Sequence, residues 1–463
     1  WGIAPATAQT LSNMTIRVTD ARGQFVDVVF PIEVIATRSR TPYATIAPTL
    51  DLKTAIGANK LAGRVFQLQA GTYAMGNWYQ FFQGTPEDPM IIRGVGPTTI
   101  MSGQSAFNGS GGVLFENMRF TRLTAPEKES DATLSFRKSF DMTIYDCEIE
   151  AYQQTLTQGD IDAVAATNPY QTADMFVYSG GGIHVSGVRC TMDKCTVSKV
   201  REGVTANIGA GLCIARSVVS DIGDDGINIA QSEGVVIVNC RAAGYSGNHQ
   251  ETEHRDCSQS HGDHLPVPKR VVLQNNFYSG KGIPHLQGWF FTNGRQAGRA
   301  DWRLDDAMNG WRVRDCIVLS GSNYGLSFSG MYDAQFSRIV AINHPDYTGG
   351  LIGTIDHKLA SKASITGAVY ESLTGGAQDT YLGNWSHLVT LTAAVQTVGG
   401  GGATAYATIF PNWANTGLAY EDPREAVANG QPASAARFWI NPAGAWSLAN
   451  PNIAPSWLRT GAA

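Results

Sequence analysis

The sequence predicts an all-β chain wound as a right-handed parallel β-helix solenoid. Three observations carry that expectation. Glycine occurs 51 times and charged residues make up only 16%, a balance of turns and stacked strands rather than helices. Eight segments repeat one pattern: an apolar residue, two variable residues, then a small or apolar residue. They end at Met118, Cys147, Cys195, Ser217, Cys240, Asn276, Cys316 and, more weakly, Ile339. The ends at Cys195, Ser217 and Cys240 are 22 and 23 residues apart, and Cys316 and Ile339 are 23 apart, within the ~20–29 residues of a strand-based solenoid coil. Four of the 7 cysteines fall on that last position. In stacked coils such positions form a column, so Cys147, Cys195, Cys240 and Cys316 are expected to be buried, small core residues rather than ligands or nucleophiles.

Residues 1–36 come first. Two alternating stretches, from Met14 and from Phe25, flank an Ala-Arg-Gly-Gln turn and predict a β-hairpin. The hairpin resembles the final strands of bacterial and phage immunoglobulin-like repeats, which implies the C-terminal part of such a domain. The chain opens on Trp1-Gly2-Ile3 and reads as a fragment of a longer protein. Residues 37–61 read as a linker followed by a short amphipathic helix over 51–60, capped near Thr49 or Asp51. Arg64-Val65-Phe66-Gln67-Leu68 and Ala70-Gly71-Thr72-Tyr73 follow. Helix, strand and A-G-T-Y resemble the start of β-helix polysaccharide-degrading enzymes and of phage tailspikes, in which a small helix plugs the first coil. The coil is expected over 62–372. Residues 373–463, with Gly399–Gly402, form a non-repeating end expected to cap the coil or hold an oligomer together.

Between the repeated segments the excess length sits in 151–180, 245–262 and 280–309, read as loops leaving one corner of the coil and walling a groove. Before each repeated segment a second pattern alternates inward apolar and outward residues. The outward column reads His184, Asn228, Pro266, Ser327, with Asn207 between the first two.

The sharpest local signal is Asp224-Asp225-Gly226-Ile227-Asn228-Ile229, which resembles the D-D-C-I-A-I segment of polygalacturonase-type glycosidases. The resemblance implies aspartates flanking a scissile bond. The second signal is Ser260-His261-Gly262-Asp263-His264. The repeat aligns Asp263 with Asp225 one coil later, ~5 Å away, and Gln287 after it. Asp225 and Asp263 are the first expected catalytic pair, assisted by His261 or His264; Glu202 and Asp224 form a parallel pair. Stacked carboxyls raise one pKa and supply an acid. An Asp-Gly turn explains any one of these aspartates equally well, and a polar loop explains the histidines.

Substrate contacts are expected from His184, Asn228, His249, His254, Gln287, Trp289, Arg295, Arg299 and Trp302. Aromatic rings stack on sugar faces and arginines pair with acidic groups. No metal-ligand spacing is present, so no cofactor is expected, with Ca2+ reserved for a lyase, where Arg201, Lys269 or Arg270 could neutralise a uronate. The net charge of -5 argues against a nucleic-acid partner, and no 18-residue apolar run argues for membrane insertion. Together these readings and the tailspike resemblance imply a polysaccharide-degrading enzyme, extracellular or in a virion tail and a homotrimer. A hydrolase is favoured slightly over a lyase, and the alternative is a non-catalytic glycan-binding fibre.

Overall fold

The computed structural model describes residues 9–19, 25–34, 41–79, 84–85, 88–122, 131–153, 159, 178–245, 255–262, 265–279, 286–293, 307–322, 324–343, 354–358, 363–370, 372–375 and 385–390. The chain divides into two units, Trp1–Ala44 and Thr45–Ala463. In the first, Gln9–Thr19 pairs antiparallel with Phe25–Val34, closing as a hairpin at Thr19↔Phe25. The hairpin is the one expected, its first strand starting earlier, at Gln9.

Near the start of the second unit lies a short helix, Leu52–Ile56. Asp51 Oδ1 accepts from the Thr54 amide at 2.7 Å and caps it. Leu52 and Ile56, one turn apart, are both buried. After it, apart from the short antiparallel pair Tyr152–Gln153 and Tyr178–Ser179, the described strands stack in parallel, as a right-handed parallel β-helix with three faces. One full coil shows the plan. Ile183–Val188 lies in the third sheet, Thr191–Asp193 in the first and Thr196–Val200 in the second, and Val204–Asn207 returns to the third sheet beneath Ile183.

The repeated segments align residue for residue in the first sheet. Phe115 pairs with Ile144, then Met192, Ile214, Ile237, Leu273, Val313 and Phe336 in turn. Cys147, Cys195, Cys240 and Cys316 are all buried at the corner that follows. The chemistry of that corner explains its residue types. Turning the backbone inward leaves amides that need acceptors, and the next coil supplies them. Ser217 Oγ accepts from the Cys195 amide at 3.1 Å, Asn276 Oδ1 from the Cys240 amide at 2.8 Å, and Cys316 Sγ from the Asn276 amide at 3.4 Å.

Two expectations are corrected. The coil exceeds its expected limits: Ala44–Ile46 already pairs with Val65–Leu68, and Ser372–Gly375 and Trp385–Thr390 still add to the sheet. Residues 391–463 lie outside the described residues. Two of the long stretches also contain strands. Arg255–His261 and Leu286–Thr292 are strands of the third sheet, so neither 245–262 nor 280–309 is a loop throughout.

Candidate active site at the edge of the third sheet

In the third sheet Ile183, Val204, Ile227, Ser258, Trp289 and Leu326 stack in one inward column. Their outward neighbours are His184, Thr205, Asn228, Gln259, Phe290 and Ser327. Three residues before each of the middle members lies an acidic side chain: Glu202, Asp225 and Asp256, followed one coil on by Gln287. Each acid is held by the outward residue three positions later. Thr205 Oγ1 donates to Glu202 Oε2 at 3.2 Å, Asn228 Nδ2 to Asp225 Oδ2 at 3.1 Å, and Gln259 Nε2 to Asp256 Oδ2 at 2.6 Å. The three carboxyls therefore sit on the outer side of the sheet, on coils stacked ~4.8 Å apart.

A fourth carboxyl enters through a shift of register. Val200 pairs with Ile222, but Val204 pairs with Ile227, so the lower coil carries one residue more between them. The Asp224 amide donates to the Arg201 carbonyl and the Gly203 amide to the Asp225 carbonyl. Asp224 and Asp225 thus both stand against Glu202. Such an extra residue re-aims side chains at a strand end. Arg201 Nη2 lies 3.6 Å from Asp224 Oδ2.

Burial separates these acids. Glu202 and Asp224 are half-buried, whereas Asp225 is 8% exposed and Asp256 0%. Burial first, then the Asp224 carboxylate, pushes the Glu202 carboxyl above the usual carboxylate range, against a smaller pull from Arg201 and Thr205. Burial, then Asp224 and Asp256, pushes Asp225 well above that range, although its Oδ1 accepts from the Asp256 amide at 2.9 Å. Above them, burial and the nearby Arg137 guanidinium hold the His184 imidazole below its ordinary value. A carboxyl with a raised pKa beside a carboxylate one coil away can give a proton to one atom while its partner attacks the neighbour.

The expected residues fare unevenly. Glu202, Asp224 and Asp225 meet at this corner, Gln287 follows two coils beyond Asp225, and His184 and Asn228 take their outward places. Asp263 does not follow Asp225: Ile227 pairs with Ser258, which places Asp256 there. Asp263 and His264 lie outside the described residues, as do His249, His254, Arg295, Arg299 and Trp302. His261 is described, half-buried at the far end of its strand, paired with Ala230 and Thr292. In the outward column Thr205, not Asn207, separates His184 from Asn228, and Gln259 replaces Pro266. Trp289 faces inward at 0% exposure, stacked on Phe291 at 5.7 Å and edge-on to Tyr278 at 5.2 Å; it is core, and Phe290 is the aromatic that faces out. Lys269 and Arg270 lie across the sheet from the carboxyls, where Lys269 bridges to Glu233 and Arg270 pairs with it at 2.5 Å.

Asp256 is the acid that sequence reasoning missed. Its strand puts Ser258 and Ser260 on the inward positions that Ile227 and Ile229 hold one coil earlier. Each serine hydroxyl donates to the carbonyl above it, Ser258 to Ile227 at 2.9 Å and Ser260 to Ile229 at 2.7 Å. Asp-Cys-Ser-Gln-Ser therefore lacks the apolar alternation, which in the sequence His264-Leu265-Pro266-Val267 offers instead. The available signal was Asp followed three residues later by an amide, as in Asp225 and Asn228.

Among the described residues no group of three or more His, Cys, Asp or Glu side chains is arranged to hold a metal ion, and no helix is long and apolar enough to cross a membrane. No protein-family model and no curated protein matches the sequence. Among solved structures, the chain resembles the A-module of a mannuronan C-5 epimerase from Azotobacter vinelandii, at 12% identity over 71% of this chain and 91% of that one, TM-score 0.41. It resembles a polygalacturonase from Erwinia carotovora ssp. carotovora at 11% identity over 76% and 96% of the two chains, TM-score 0.38. A surface adhesin of Streptococcus pneumoniae matches at 9% identity over 74% and 89%, TM-score 0.36. Likenesses this distant do not bear on chemistry.

Proposed function

We propose that this chain binds a polysaccharide along the outer face of the third sheet and hydrolyses it at the Glu202–Asp224 corner. The observation that supports this is the stack of outward carboxyls, with Glu202 pushed above the usual carboxylate range by burial and by Asp224, and Asp224 beside it ion-paired to Arg201. Of the two pairs expected from sequence, solvent reaches Glu202 and Asp224, so the second is preferred. Carboxyls one coil apart, ~4.8 Å, suit a retaining glycosidase, whose pair stands at ~5–5.5 Å.

In that reading Glu202 gives its proton to the glycosidic oxygen as the carbon–oxygen bond breaks. Asp224 attacks the anomeric carbon and forms a glycosyl ester. Glu202, now ionised, takes a proton from water, whose oxygen displaces Asp224 and frees the sugar. Asp225 lies beside Asp224 on its coil, and Asp256 lies on the next coil. The molecule is proposed to work outside the cell, with a cell-surface or capsular polysaccharide as substrate. The resemblance of its opening to tailspikes supports that placement.

Elimination on a uronate is a second reading. It is favoured by Arg201 and the buried Arg255, which stand next to the acids in sequence and could neutralise a sugar carboxylate. One assay separates the readings. Polysaccharides are incubated with the protein, and reducing ends and absorbance near 235 nm are followed. Reducing ends without absorbance support hydrolysis, and both together support elimination. Binding without either product leaves a non-catalytic glycan-binding fibre.

A further inference from the structure

The outward column of the third sheet changes character directly below the carboxyls. Thr205, Asn228 and Gln259 each hold an acid. The next member, paired with Gln259, is Phe290, and the acid's own place on that coil is taken by Gln287. Phe290 is not packed into the core: it alternates with the inward Trp289 and Phe291 and is half-buried. Two half-buried rings from the adjoining coils stand edge-on against it. His261, on the coil above, has its centroid 6.2 Å away at 65°, and Tyr324, on the coil below, lies 6.4 Å away at 65°. Edge-to-face contacts on either side fix the plane of a ring and give it a defined face.

We infer that His261, Phe290 and Tyr324 form a stacking subsite for an uncharged pyranose unit, with Phe290 two coils beyond Asp224 and three beyond Glu202, and that this subsite fixes how the glycan is placed over Glu202 and Asp224. The inference rests on the polysaccharide reading above and assigns its binding specificity. A pyranose presents a face of C–H bonds that packs on an aromatic ring, and the neutral Gln287 amide beside it meets hydroxyls. A sugar carboxylate gains nothing from an aromatic face, and the nearby Asp256 opposes it. The subsite therefore selects an uncharged unit at this position, whatever groups the polymer carries elsewhere.

The test uses the full chain carrying Glu202→Gln, so that bound polymer is not consumed. Binding is measured by calorimetry to a glucan, a galactomannan, a polygalacturonate and an alginate. Phe290→Ala is expected to weaken binding of the best polymer at least tenfold, and Phe290→Trp to restore it within about twofold, with thermal midpoints unchanged. In the active background Phe290→Ala should raise KM by a similar factor and leave kcat within about threefold, because it removes binding rather than proton transfer. Tightest binding to polygalacturonate or alginate, in which every unit is charged, overturns the uncharged-unit assignment. Equal binding by the Phe290→Ala and parent proteins overturns the subsite while the polysaccharide reading stands. If the parent binds none of the four polymers, both fall together.

Discussion

The chemistry at Glu202, Asp224 and Asp225 depends on which protons stay put. Glu202→Gln and Asp224→Asn should each lower depolymerisation at least about a hundredfold, with circular dichroism unchanged, because both side chains lie on the outer side of the sheet. If both variants keep more than about a tenth of the parental rate, the catalytic assignment fails. Asp225 makes a separate prediction about stability. Its folded-state value is raised, so the folded chain holds this proton more tightly than the unfolded one. Stability from that difference is present at acid pH and is lost as pH climbs from the ordinary carboxylate range through the raised value. Glu202 is raised too and acts in the same direction. Asp225→Asn should therefore flatten, without abolishing, the fall in urea midpoint between pH 5 and 8, and should be at least as stable as the parent at pH 8. A variant with the parental slope would show that Asp225 is ionised in the folded protein across this range.

At the scale of the strand and its corner, the inward residues Ser217, Asn276 and Cys316 do two jobs: each fills space and accepts a hydrogen bond from an amide of the coil above. Removing the acceptor while keeping the volume should leave a buried amide unsatisfied. Asn276→Leu is expected to cost about 1–3 kcal/mol in denaturant unfolding and Ser217→Ala a similar amount; no change for either would contradict the bonds to Cys240 and Cys195. The same corner governs thiol chemistry. Six of the seven cysteines are buried and Cys213 is half-exposed. Burial pushes the Cys240 thiol up to about 12 and the Cys190 thiol up to about 11. A thiol reagent at pH 8 should thus modify about one site in native protein and seven in denaturant. These elements also show what a sequence can disclose. The first sheet was legible because its inward positions are apolar and its corner carries a recognisable small residue. The third sheet was half legible. Its apolar strands, such as Ile227–Ala230, stood out, whereas Arg255–His261 hid its inward positions behind serines that bond to carbonyls. Glu202 and Asp224 were legible as a pair, yet the standing of Asp225 beside Asp224 against the same coil depended on a one-residue change in coil length that no local pattern marks.

For the whole molecule, a coil that contacts only its neighbours above and below gains stability from each added interface. We propose that it works as a homotrimer; light scattering at micromolar concentration should then report three times the 49.6 kDa chain mass, and a monomer mass would remove that proposal. The extra residue between Val200 and Val204 on one coil, and Ile222 and Ile227 on the next, carries a further consequence. A solenoid can lengthen by duplicating a coil, and a fresh copy begins with the same side chains in step with its parent. A single inserted codon at the corner breaks that symmetry. The flanking strands re-engage in an unchanged ladder, while two acidic groups come to stand where the neighbouring coil has one. New chemistry can arise in such a chain by miscounting one residue at a bend, with the frame that carries it left as it was.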